Sequence, residues 1–453
     1  MKISIFGCGY VGLVTGACLS EAGNHVICID SDKNKVDLLQ NGKIDIHEPD
    51  LASCILRSLR SGTIEFNSDT KYGVNQSDII IIAVNTPSLK DGSANLDNVI
   101  DVATDIGKYI DREKLILNKS TAPVGTTEKI RSVINKMIKN REISINFQVA
   151  SNPEFLSQGI AMSNFKKPDR IIVGTIDDKV KTKIRELYSP FNRKMDKIIF
   201  MSERSAELSK YAANSMLATK ISFMNEMANI ADILGVDIEE VRSGICSDPR
   251  IGYSFMYPGI GFGGSCFPKD LRAIRSISEQ NKYEASLINC VYEVNERQKL
   301  VLNSKIQKFF KEKISERAFA IWGLSFKPYT DDMREAPSIE IIKNLLLHGS
   351  KITAFDPQGH KAASAIFDEE SNFSINSCKY ETLRGADCLI VCTEWPSFRS
   401  PDLEKVRTLL KYPIVFDGRN IFSPDIMKEH GIQYFGIGRN NNLFKDINQV
   451  EKL

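Results

Sequence analysis

The sequence lacks any long apolar run. Its longest strongly apolar stretches, such as residues 79–84, are only as long as a β-strand, whereas a membrane-spanning helix needs about 20 apolar residues. The apolar stretch near the N-terminus is also too short for a signal peptide, and no cleavage pattern follows it. We therefore expect a cytoplasmic protein with no membrane partner.

An excess of charge of one sign is also absent. The 59 Lys and Arg residues nearly balance the 57 Asp and Glu residues, which leaves a net charge of +2. Because proteins that bind nucleic acids usually carry a basic excess, we expect no nucleic-acid partner. The balance still permits a local basic pocket.

The ten cysteines show no Cys-x-x-Cys pair and no zinc-ligand spacing. We therefore expect no metal site. In a long chain with no export signal the thiols are expected to be reduced. Nine of them are interpreted as small core or surface residues, and Cys266 is considered separately below.

Short β-branched runs alternate with helical patterns over the first part of the chain, and the same alternation returns near its end. Strand–helix alternation predicts a parallel sheet with helices on both faces. In each part, a strand is followed by a glycine turn, a helix and a second strand that ends in Asp. Strands are predicted at residues 2–6, 26–30, 78–84, 115–119, 146–150, 170–173, 318–322, 351–355, 387–392 and 414–416.

Residues 203–234 contain no Gly or Pro, and their apolar residues recur at helical spacing. They predict one helix about 48 Å long, which is longer than a small domain is wide. Such a helix is expected to join domains and subunits, so we expect a homodimer or a higher homo-oligomer.

The predicted fold class is α/β, with two Rossmann-like parallel-sheet domains joined by a central helical domain that contains one long helix. We expect a first Rossmann-like domain at 1–200, a helical and dimerisation domain at 201–313, and a second Rossmann-like domain at 314–453.

A dinucleotide-binding pattern follows the first predicted strand directly. In Gly7-Cys8-Gly9-Tyr10-Val11-Gly12 the glycines permit a tight turn, close approach to a pyrophosphate and close helix packing. Asp30 ends the second strand, where it would accept hydrogen bonds from ribose hydroxyls and repel a 2′-phosphate. NAD is therefore favoured over NADP, although Lys35 lies near enough to weaken that preference, and we interpret residues 1–200 as an NAD-binding domain. The alternative is a glycine-rich turn with no ligand.

Two later strand ends should border the same crevice, because ligands of open α/β sheets bind beyond the carboxyl ends of the strands. One is Val84-Asn85-Thr86-Pro87, and the other contains Thr121 followed by Ala122-Pro123. Their hydroxyl groups could face the nicotinamide, although either segment could equally be an ordinary turn.

The segment from Pro258 to Asp270 combines four glycines at 259–264 with Cys266, Lys269 and Asp270. Glycines at this density usually indicate close approach to a ligand. A thiol before a helix start and beside a lysine should have a lowered pKa, although a buried cysteine beside a mobile loop is the alternative.

Lys210 and Asn214 are spaced i,i+4 and share one face of the long helix. Such a pair could stabilise a developing alkoxide, by charge and by a donated hydrogen bond. Most Lys–Asn pairs of this kind are nevertheless solvated.

Further motifs follow one another along nearly the whole chain. They are Val84-Asn85-Thr86-Pro87, Ser120-Thr121-Ala122-Pro123-Val124-Gly125-Thr126, Asn152-Pro153-Glu154-Phe155-Leu156, Lys210-x-x-x-Asn214, Gly261-Phe262-Gly263-Gly264-Ser265-Cys266-Phe267-Pro268-Lys269-Asp270 and Gly323-Leu324-Ser325-Phe326-Lys327-Pro328. With the glycine motif at the N-terminus, they resemble the UDP-glucose/GDP-mannose dehydrogenase family. The cysteine loop is the most specific of them. The sequence around Glu154 and at 258–262 is more similar to the UDP-glucose branch of the family than to the GDP-mannose or UDP-N-acetylhexosamine branches.

The resemblance implies oxidation of C6 of UDP-glucose in two steps, with two NAD⁺ and one water. Lys210 and Asn214 would steady the sugar oxygen, and Asp270 with an ordered water would accept its proton. The Cys266 thiolate would form a thiohemiacetal and then a thioester. Thr121 and Glu154 would lie near the reacting centre, and Glu154 would position water or the Lys210 ammonium.

The resemblance also implies that the second Rossmann-like domain, at 314–453, binds the UDP-sugar, and it implies residues that bind the cofactor and the substrate. Where the family usually has a second Glu, this chain has Gln158, so any base role there is absent or is moved to Glu154 or Asp270. Gln158 could still bind cofactor or water. Arg250 resembles an arginine offered to a neighbouring subunit, and Arg334 resembles one that reaches the cofactor. Arg250, Arg334 and Arg419 could each instead be solvated surface charges. The implied cofactor-binding residues are Gly7, Gly9, Tyr10, Val11, Gly12, Asp30, Lys35, Thr86, Thr121, Gln158 and Arg334; the implied substrate-binding residues are Glu154, Phe155, Leu156, Lys210, Asn214, Arg250, Phe255, Gly263, Phe326, Lys327 and Arg419.

Three other functions stay open from the sequence. The same chemistry could act on another nucleotide sugar. A β-hydroxyacid dehydrogenase would share the Rossmann unit and the Lys–Asn pair, but it needs no thiol and stops after one oxidation. A nucleotide-binding sensor would bind NAD without turnover, and the retained Cys, Lys, Asn and Asp side chains argue against it.

Overall fold

A computed structural model of the protein describes residues 1–192, 195–441 and 446–450. The described chain forms two compact units. The first unit comprises residues 1–213 and 272–282, and the second comprises residues 214–271 and 283–453. The predicted three-part division at residues 200 and 313 stays a prediction.

An eight-stranded sheet with its helices builds the first unit. Its elements are β1 (Lys2–Phe6), α1 (Tyr10–Glu21), β2 (His25–Ile29), α2 (Lys33–Gln40), α3 (Leu51–Arg60), β3 (Ile64–Asn67), α4 (Thr70–Gln76), β4 (Ile79–Ile82), α5 (Asp97–Tyr109), β5 (Lys114–Asn118), α6 (Thr126–Asn140), β6 (Phe147–Ser151), α7 (Ala161–Lys166), β7 (Ile171–Gly174), α8 (Asp178–Tyr188) and β8 (Ile198–Met201).

Helices follow, and then a seven-stranded sheet builds much of the second unit. The remaining elements are α9 (Glu203–Leu234), α10 (Ile238–Cys246), α11 (Phe267–Gln280), α12 (Ser286–Gln298), α13 (Val301–Phe310), β9 (Ala318–Trp322), α14 (Pro337–Leu347), β10 (Lys351–Phe355), α15 (His360–Ile366), β11 (Phe373–Ile375), β12 (Cys388–Val391), α16 (Pro396–Arg399), α17 (Leu403–Leu409), β13 (Ile414–Asp417), α18 (Pro424–Glu429), β14 (Gln433–Phe435), β15 (Asn440–Asn441) and α19 (Ile447–Val450). Short 3₁₀ helices cover Ser189–Phe191, Lys311–Glu316 and Glu381–Leu383.

Both sheets have the strand order of a Rossmann fold. The first runs β3-β2-β1-β4-β5-β6-β7-β8, and the second runs β11-β10-β9-β12-β13-β14-β15. All neighbouring strands pair in parallel except β6 with β7 and β14 with β15. The order reverses between β1 and β4 and again between β9 and β12, and crevices for ligands lie at such reversals. The predicted α/β fold with two Rossmann-like sheets is confirmed.

The cores explain why these strands form parallel sheets. In β4 all four residues are isoleucines and all are buried. Ile79 and Ile81 belong to one apolar cluster, and Ile80 and Ile82 belong to another, so helices cover both faces of the strand. A strand buried on both faces reads as a continuous apolar run. The second sheet is built in the same way.

Helix α9 spans the predicted residues, 203–234. The Ser202 hydroxyl accepts the Ser205 N–H at 3.2 Å and caps the first turn. The helix stops before Gly235, whose φ is +69°. Residues 203–213 of α9 belong to the first unit and residues 214–234 to the second. No helix in the described ranges is long and apolar enough to cross a membrane.

Candidate active site

The glycine turn after β1 can exist only with glycines at two of its positions. Gly7 has a φ of +100°, and a Cβ there would lie 2.7 Å from the Ala83 carbonyl oxygen. A Cβ at Gly12 would lie 1.8 Å from the Gly7 carbonyl oxygen. Helix α1 therefore starts close against β1, with Gly9 at its N-cap. The free N–H groups of such a helix N-terminus attract a pyrophosphate.

Asp30 lies at the end of β2 beside this turn and is half-buried. Its Oδ2 accepts the Cys8 N–H at 2.8 Å, and its Oδ1 accepts the Asp32 N–H at 3.1 Å. A carboxylate has about four acceptor positions, so it can also bind ribose hydroxyls. Lys35 is in the first turn of α2, where its N–H donates to the Asp32 cap. The turn and the acid together fit NAD.

Tyr10 and Val11 begin α1 and are half-buried. The Tyr10 hydroxyl donates to the buried Glu48 carboxylate. Glu48 also accepts the N–H groups of Gly159 at 2.6 Å and Ala161 at 2.7 Å. The Tyr10 hydroxyl is therefore tied to the loop before α7, which carries the half-buried Gln158.

The two hydroxyl loops beyond β4 and β5 are bonded to each other. The Thr86 hydroxyl donates to the Thr121 carbonyl at 2.7 Å, and the Ser120 hydroxyl donates to the Val84 carbonyl at 2.8 Å. The structure thus brings Thr86 and Thr121 together at the edge where parallel strands end.

Glu154 and Lys210 form a buried ion pair. Lys210 Nζ donates to Glu154 Oε1 at 3.0 Å, and the two side chains are 4% and 7% exposed. Glu154 Oε2 accepts the Leu156 N–H at 2.6 Å. Burial by itself would raise the pKa of Glu154, but the Lys210 charge and the Leu156 N–H hold it below its ordinary value. Glu154 is therefore ionised, and it orients the Lys210 ammonium. The Phe155 ring lies 5.3 Å from that ammonium.

A second buried lysine lies behind Glu154. Lys119 Nζ donates to Asn152 Oδ1 at 3.2 Å and to the Tyr188 hydroxyl at 3.4 Å. These side chains line a cavity of about 60 Å³ together with Glu154. Lys119 also lowers the pKa of Glu154, although less than Lys210 does.

In the second unit, Cys266 is exposed and immediately precedes α11. The Asp270 N–H donates to the Cys266 carbonyl at 2.9 Å, as the first turn of the helix requires. The buried Asp270 carboxylate accepts Asn214 Nδ2 at 2.6 Å and lies 2.9 Å from Lys269 Nζ. The structure thus brings Asn214 and Asp270 together, one helical turn from the cysteine.

The glycine loop before Cys266 packs closely on other segments of the second unit. A Cβ at Gly263 would lie 2.2 Å from the Glu335 carbonyl oxygen, and one at Gly264 would lie 2.8 Å from the Phe326 ring. Arg419 Nη1 donates to the Gly261 carbonyl at 3.1 Å, and its Nη2 donates to the Phe326 carbonyl at 3.4 Å. The half-buried Lys327 lies 5.4 Å from the Phe326 ring.

The other two arginines predicted for the site are bonded to nearby aspartates. Arg334 pairs with Asp332 at 2.6 Å, and Arg250 pairs with Asp248 at 2.5 Å. Asp332, and to a smaller extent Cys266, raise the pKa of Arg334. The Arg250 side chain is 88% exposed. Phe255 is partly exposed and has a φ of +63°.

Several polar residues of these surroundings were not predicted. Glu48 reaches partners more than 100 residues away, and no local pattern points to that contact. Asn225, Asn295 and Gln298 bind the backbone of the glycine loop. In the sequence these three residues are recognisable only as polar residues of predicted helices, and nothing in the pattern indicates that they bind the loop. Within the described ranges, no group of three or more His, Cys, Asp or Glu side chains could hold a metal ion.

Three domains of one known protein family match three successive segments of the chain. The UDP-glucose/GDP-mannose dehydrogenase family NAD binding domain matches residues 1–192, the central domain of that family matches residues 204–297, and its UDP binding domain matches residues 320–424.

Full-length relatives agree with this match. A UDP-glucose 6-dehydrogenase of Pseudomonas aeruginosa is 42% identical over 97% of this chain and 98% of its own length. One of Bacillus subtilis is 41% identical over 97% of this chain and 93% of its own. A solved UDP-glucose dehydrogenase from Pyrobaculum islandicum is 33% identical, with a TM-score of 0.85 over 96% of this chain and 97% of that one. The chain is therefore an NAD-dependent dehydrogenase and belongs to the UDP-glucose/GDP-mannose dehydrogenase family.

Proposed function

We propose that the chain oxidises C6 of UDP-glucose twice, to UDP-glucuronate, through a thiohemiacetal and a thioester on Cys266. The observation that carries the proposal is the exposed Cys266 at the start of α11, one turn before the buried Asp270–Asn214 hydrogen bond. A single alcohol oxidation needs no thiol, whereas oxidation of an aldehyde to an acid gains from a covalent intermediate. The substrates named for the full-length relatives support UDP-glucose.

The cofactor site is assigned to the glycine turn and Asp30. The N-terminus of α1 would face the pyrophosphate, and Asp30 would bind the adenosine ribose. Thr86, Thr121, Gln158 and Arg334 are assigned to the remainder of the cofactor. Bound NAD⁺ supplies the hydride acceptor for both oxidations.

In the first oxidation the chain must hold a developing alkoxide and remove its proton. The Lys210 ammonium, oriented by Glu154, supplies positive charge. One Asn214 N–H binds Asp270 and leaves the second to donate to the sugar oxygen. Asp270, through an ordered water, takes the proton, and C6 loses a hydride to become an aldehyde.

In the second oxidation the Cys266 sulfur adds to the aldehyde carbon, and the former aldehyde oxygen takes a proton to give the thiohemiacetal. Loss of that proton and of a hydride gives a thioester. Water then attacks the thioester carbon and releases the thiol and a carboxylate. The overall balance is one alcohol, two NAD⁺ and one water giving one carboxylate, two NADH and three protons.

The glycine loop and its neighbours are assigned to the UDP-sugar. Arg419, Phe326, Lys327, Phe255 and Gly263 would bind the diphosphate and the sugar, together with residues 154–156. The contacts of Arg419 and Phe326 with this loop support that assignment.

We also propose a homodimer. The exposure of Arg250 suits a residue offered to a second subunit. Met216, Phe223 and Ile230 recur every seven residues on α9 and are 61%, 46% and 42% exposed. Exposed apolar side chains aligned along one helix in this way support an interaction surface. Sedimentation at micromolar protein would test the proposal, because a monomer with full activity contradicts it.

The absorbance of NADH tests the reaction. The chain should form two NADH per UDP-glucose and little or none with GDP-mannose or UDP-N-acetylhexosamines. One NADH per sugar would identify a single-step dehydrogenase, and NAD⁺ binding without turnover would identify a sensor. Cys266→Ser should prevent the thioester from forming, so a variant that still completes both oxidations would falsify the mechanism.

A further inference from the structure

Buried amide side chains bind the backbone of the glycine loop at two residues. Gly259 donates its N–H to Asn225 Oδ1 at 2.8 Å, and its carbonyl accepts Gln298 Nε2 at 2.7 Å. Phe262 donates its N–H to Asn295 Oδ1 at 2.8 Å, and its carbonyl accepts Asn295 Nδ2 at 3.0 Å. At both residues the amides satisfy the N–H and the carbonyl, as a neighbouring β-strand would.

These amides are fully enclosed by the second unit. Asn225 is 0% exposed, and Asn295 and Gln298 are each 1% exposed. Gln298 is held in turn by Asn229, whose Nδ2 donates to Gln298 Oε1 at 2.8 Å. A buried amide is unfavourable unless it is hydrogen-bonded. The loop and the amides therefore require each other.

The glycines of the loop fit this arrangement. Gly261 has a φ of +91°, and a Cβ there would lie 2.9 Å from Asn295 Oδ1. A glycine-rich segment loses more conformational entropy on ordering than any other kind. The paired hydrogen bonds to helices α9 and α12 offset that loss and fix the loop in one conformation.

The fixed loop leads directly to the cysteine. Only three residues separate Phe262 from Cys266, and one of them, Gly264, donates its N–H to the Arg334 carbonyl at 2.8 Å. Cys266 directly precedes the first turn of α11. The Cys266 thiol is exposed, and its sulfur lies 3.7 Å from the Ser265 hydroxyl of the same loop.

We infer that Asn295 and Gln298 are positioning residues, which hold the glycine loop so that the Cys266 thiol stays at the N-terminus of α11. The inference rests on the proposed role of Cys266 as the nucleophile. A helix N-terminus favours the thiolate. Lys269 and Asp270 follow the thiol in the first turn of α11, Arg334 interacts with it electrostatically, and neither amide variant below changes their charge.

The test is peptide-resolved alkylation of the whole chain with iodoacetamide between pH 6 and pH 9, in the absence of cofactor and sugar. Gln298→Met keeps the length of the side chain and removes the bond to the Gly259 carbonyl, and Asn295→Ala removes both bonds to Phe262. Gln280→Met makes the same replacement at an exposed position of α11 and is the matched control.

Cys290 and Cys378 are also exposed, and they are internal controls in every sample. In Gln298→Met and Asn295→Ala, the pH midpoint of Cys266 alkylation should rise by about half a unit, roughly a threefold slower reaction at low pH. The midpoints of Cys290 and Cys378 should not move, and Gln280→Met should match the parent chain.

An unchanged Cys266 midpoint in both variants would overturn the inference. Alkylation of buried Cys388 and Cys392 in both variants would also overturn it, because the amides would then support the fold as a whole and not the loop. Labelling needs neither NAD⁺ nor UDP-glucose. A parent chain that labels as expected but forms no NADH would therefore contradict the proposed function alone.

Discussion

Replacing Glu154 by Gln tests the buried charge pair that the sequence motif could only suggest. The variant keeps the shape of the side chain and an oxygen for the Leu156 N–H, but it removes the carboxylate 3.0 Å from the Lys210 ammonium. Both side chains are less than 10% exposed. Removing one partner of such a pair costs about 3–5 kcal/mol, because the other charge stays buried without it. We expect the free energy of unfolding of the first unit to fall by about 3 kcal/mol at pH 7.

The pH dependence has a definite sign. The pKa of Glu154 in the folded chain lies below its ordinary value of 4.5. The carboxylate therefore stabilises the fold above that ordinary value, and the stabilisation is lost as the pH falls through the lowered folded pKa. The difference between the parent chain and Glu154→Gln should be full near pH 7 and should shrink below pH 4.5.

Urea unfolding, followed by fluorescence and circular dichroism, measures the difference at each pH. The matched control is Glu128→Gln, which breaks a 3.2 Å pair between side chains that are 50% and 62% exposed. Pairs of this kind contribute less than about 1 kcal/mol. If Glu154→Gln were no less stable than Glu128→Gln at pH 7, the buried pair would not contribute as argued.

Three further substitutions address the cofactor crevice. Asp30→Asn should raise KM for NAD⁺ by about tenfold and raise the relative rate with NADP⁺, since a charged acceptor for ribose hydroxyls is worth about 1.5–3 kcal/mol; equal KM values for parent and variant would contradict the assignment. Gly12→Ala should abolish NAD⁺ binding in calorimetry, because its Cβ would meet the Gly7 carbonyl at 1.8 Å; normal binding would mean that the turn differs from this structure. Tyr10→Phe removes the hydroxyl bonded to Glu48 and should lower the thermal midpoint with KM for NAD⁺ nearly unchanged, so a selective rise in KM would instead indicate contact between hydroxyl and cofactor.

The elements that the sequence predicted best are those whose signal is local. Helix α9 was predicted with its full bounds because a glycine-free run ends at Gly235. Central strands such as β4 are apolar on both faces and were found. Strand β3 was missed because Glu65 and Asn67 interrupt a short, half-exposed run. Strands β8, β11, β14 and β15 were missed as well, since they have two to four residues each.

The candidate site was predictable where a motif carries it and not where a distant partner completes it. The family motifs contain Cys266, Asn214 and Asp270, and the sequence put forward all three. Glu48 and the amides at 225, 295 and 298 act on segments far away in sequence. Such contacts depend on how helices pack, and a single sequence does not encode them as a local pattern.

The repeated sequence plan also shows what a pattern leaves undecided. Both sheets contain a strand that ends in an acid, Asp30 after β2 and Asp356 after β10. Asp30 is half-buried and accepts two backbone N–H groups. Asp356 is 0% exposed. It accepts N–H groups of Leu324 and Ser325 and of Gln358 and Gly359, the Ser325 hydroxyl and the Trp395 indole N–H.

Six donors fill the acceptor positions of one carboxylate. Asp356 therefore stabilises the turns of its own unit and cannot accept hydrogen bonds from a ribose as Asp30 can. The same strand–turn–helix plan thus provides one acid that can recognise a dinucleotide and one that is structural. This difference in burial agrees with the match of the first sheet to an NAD binding domain and of the second to a UDP binding domain. A sequence pattern can predict that a fold is repeated, but whether the acid is exposed decides which copy can bind the ribose of NAD.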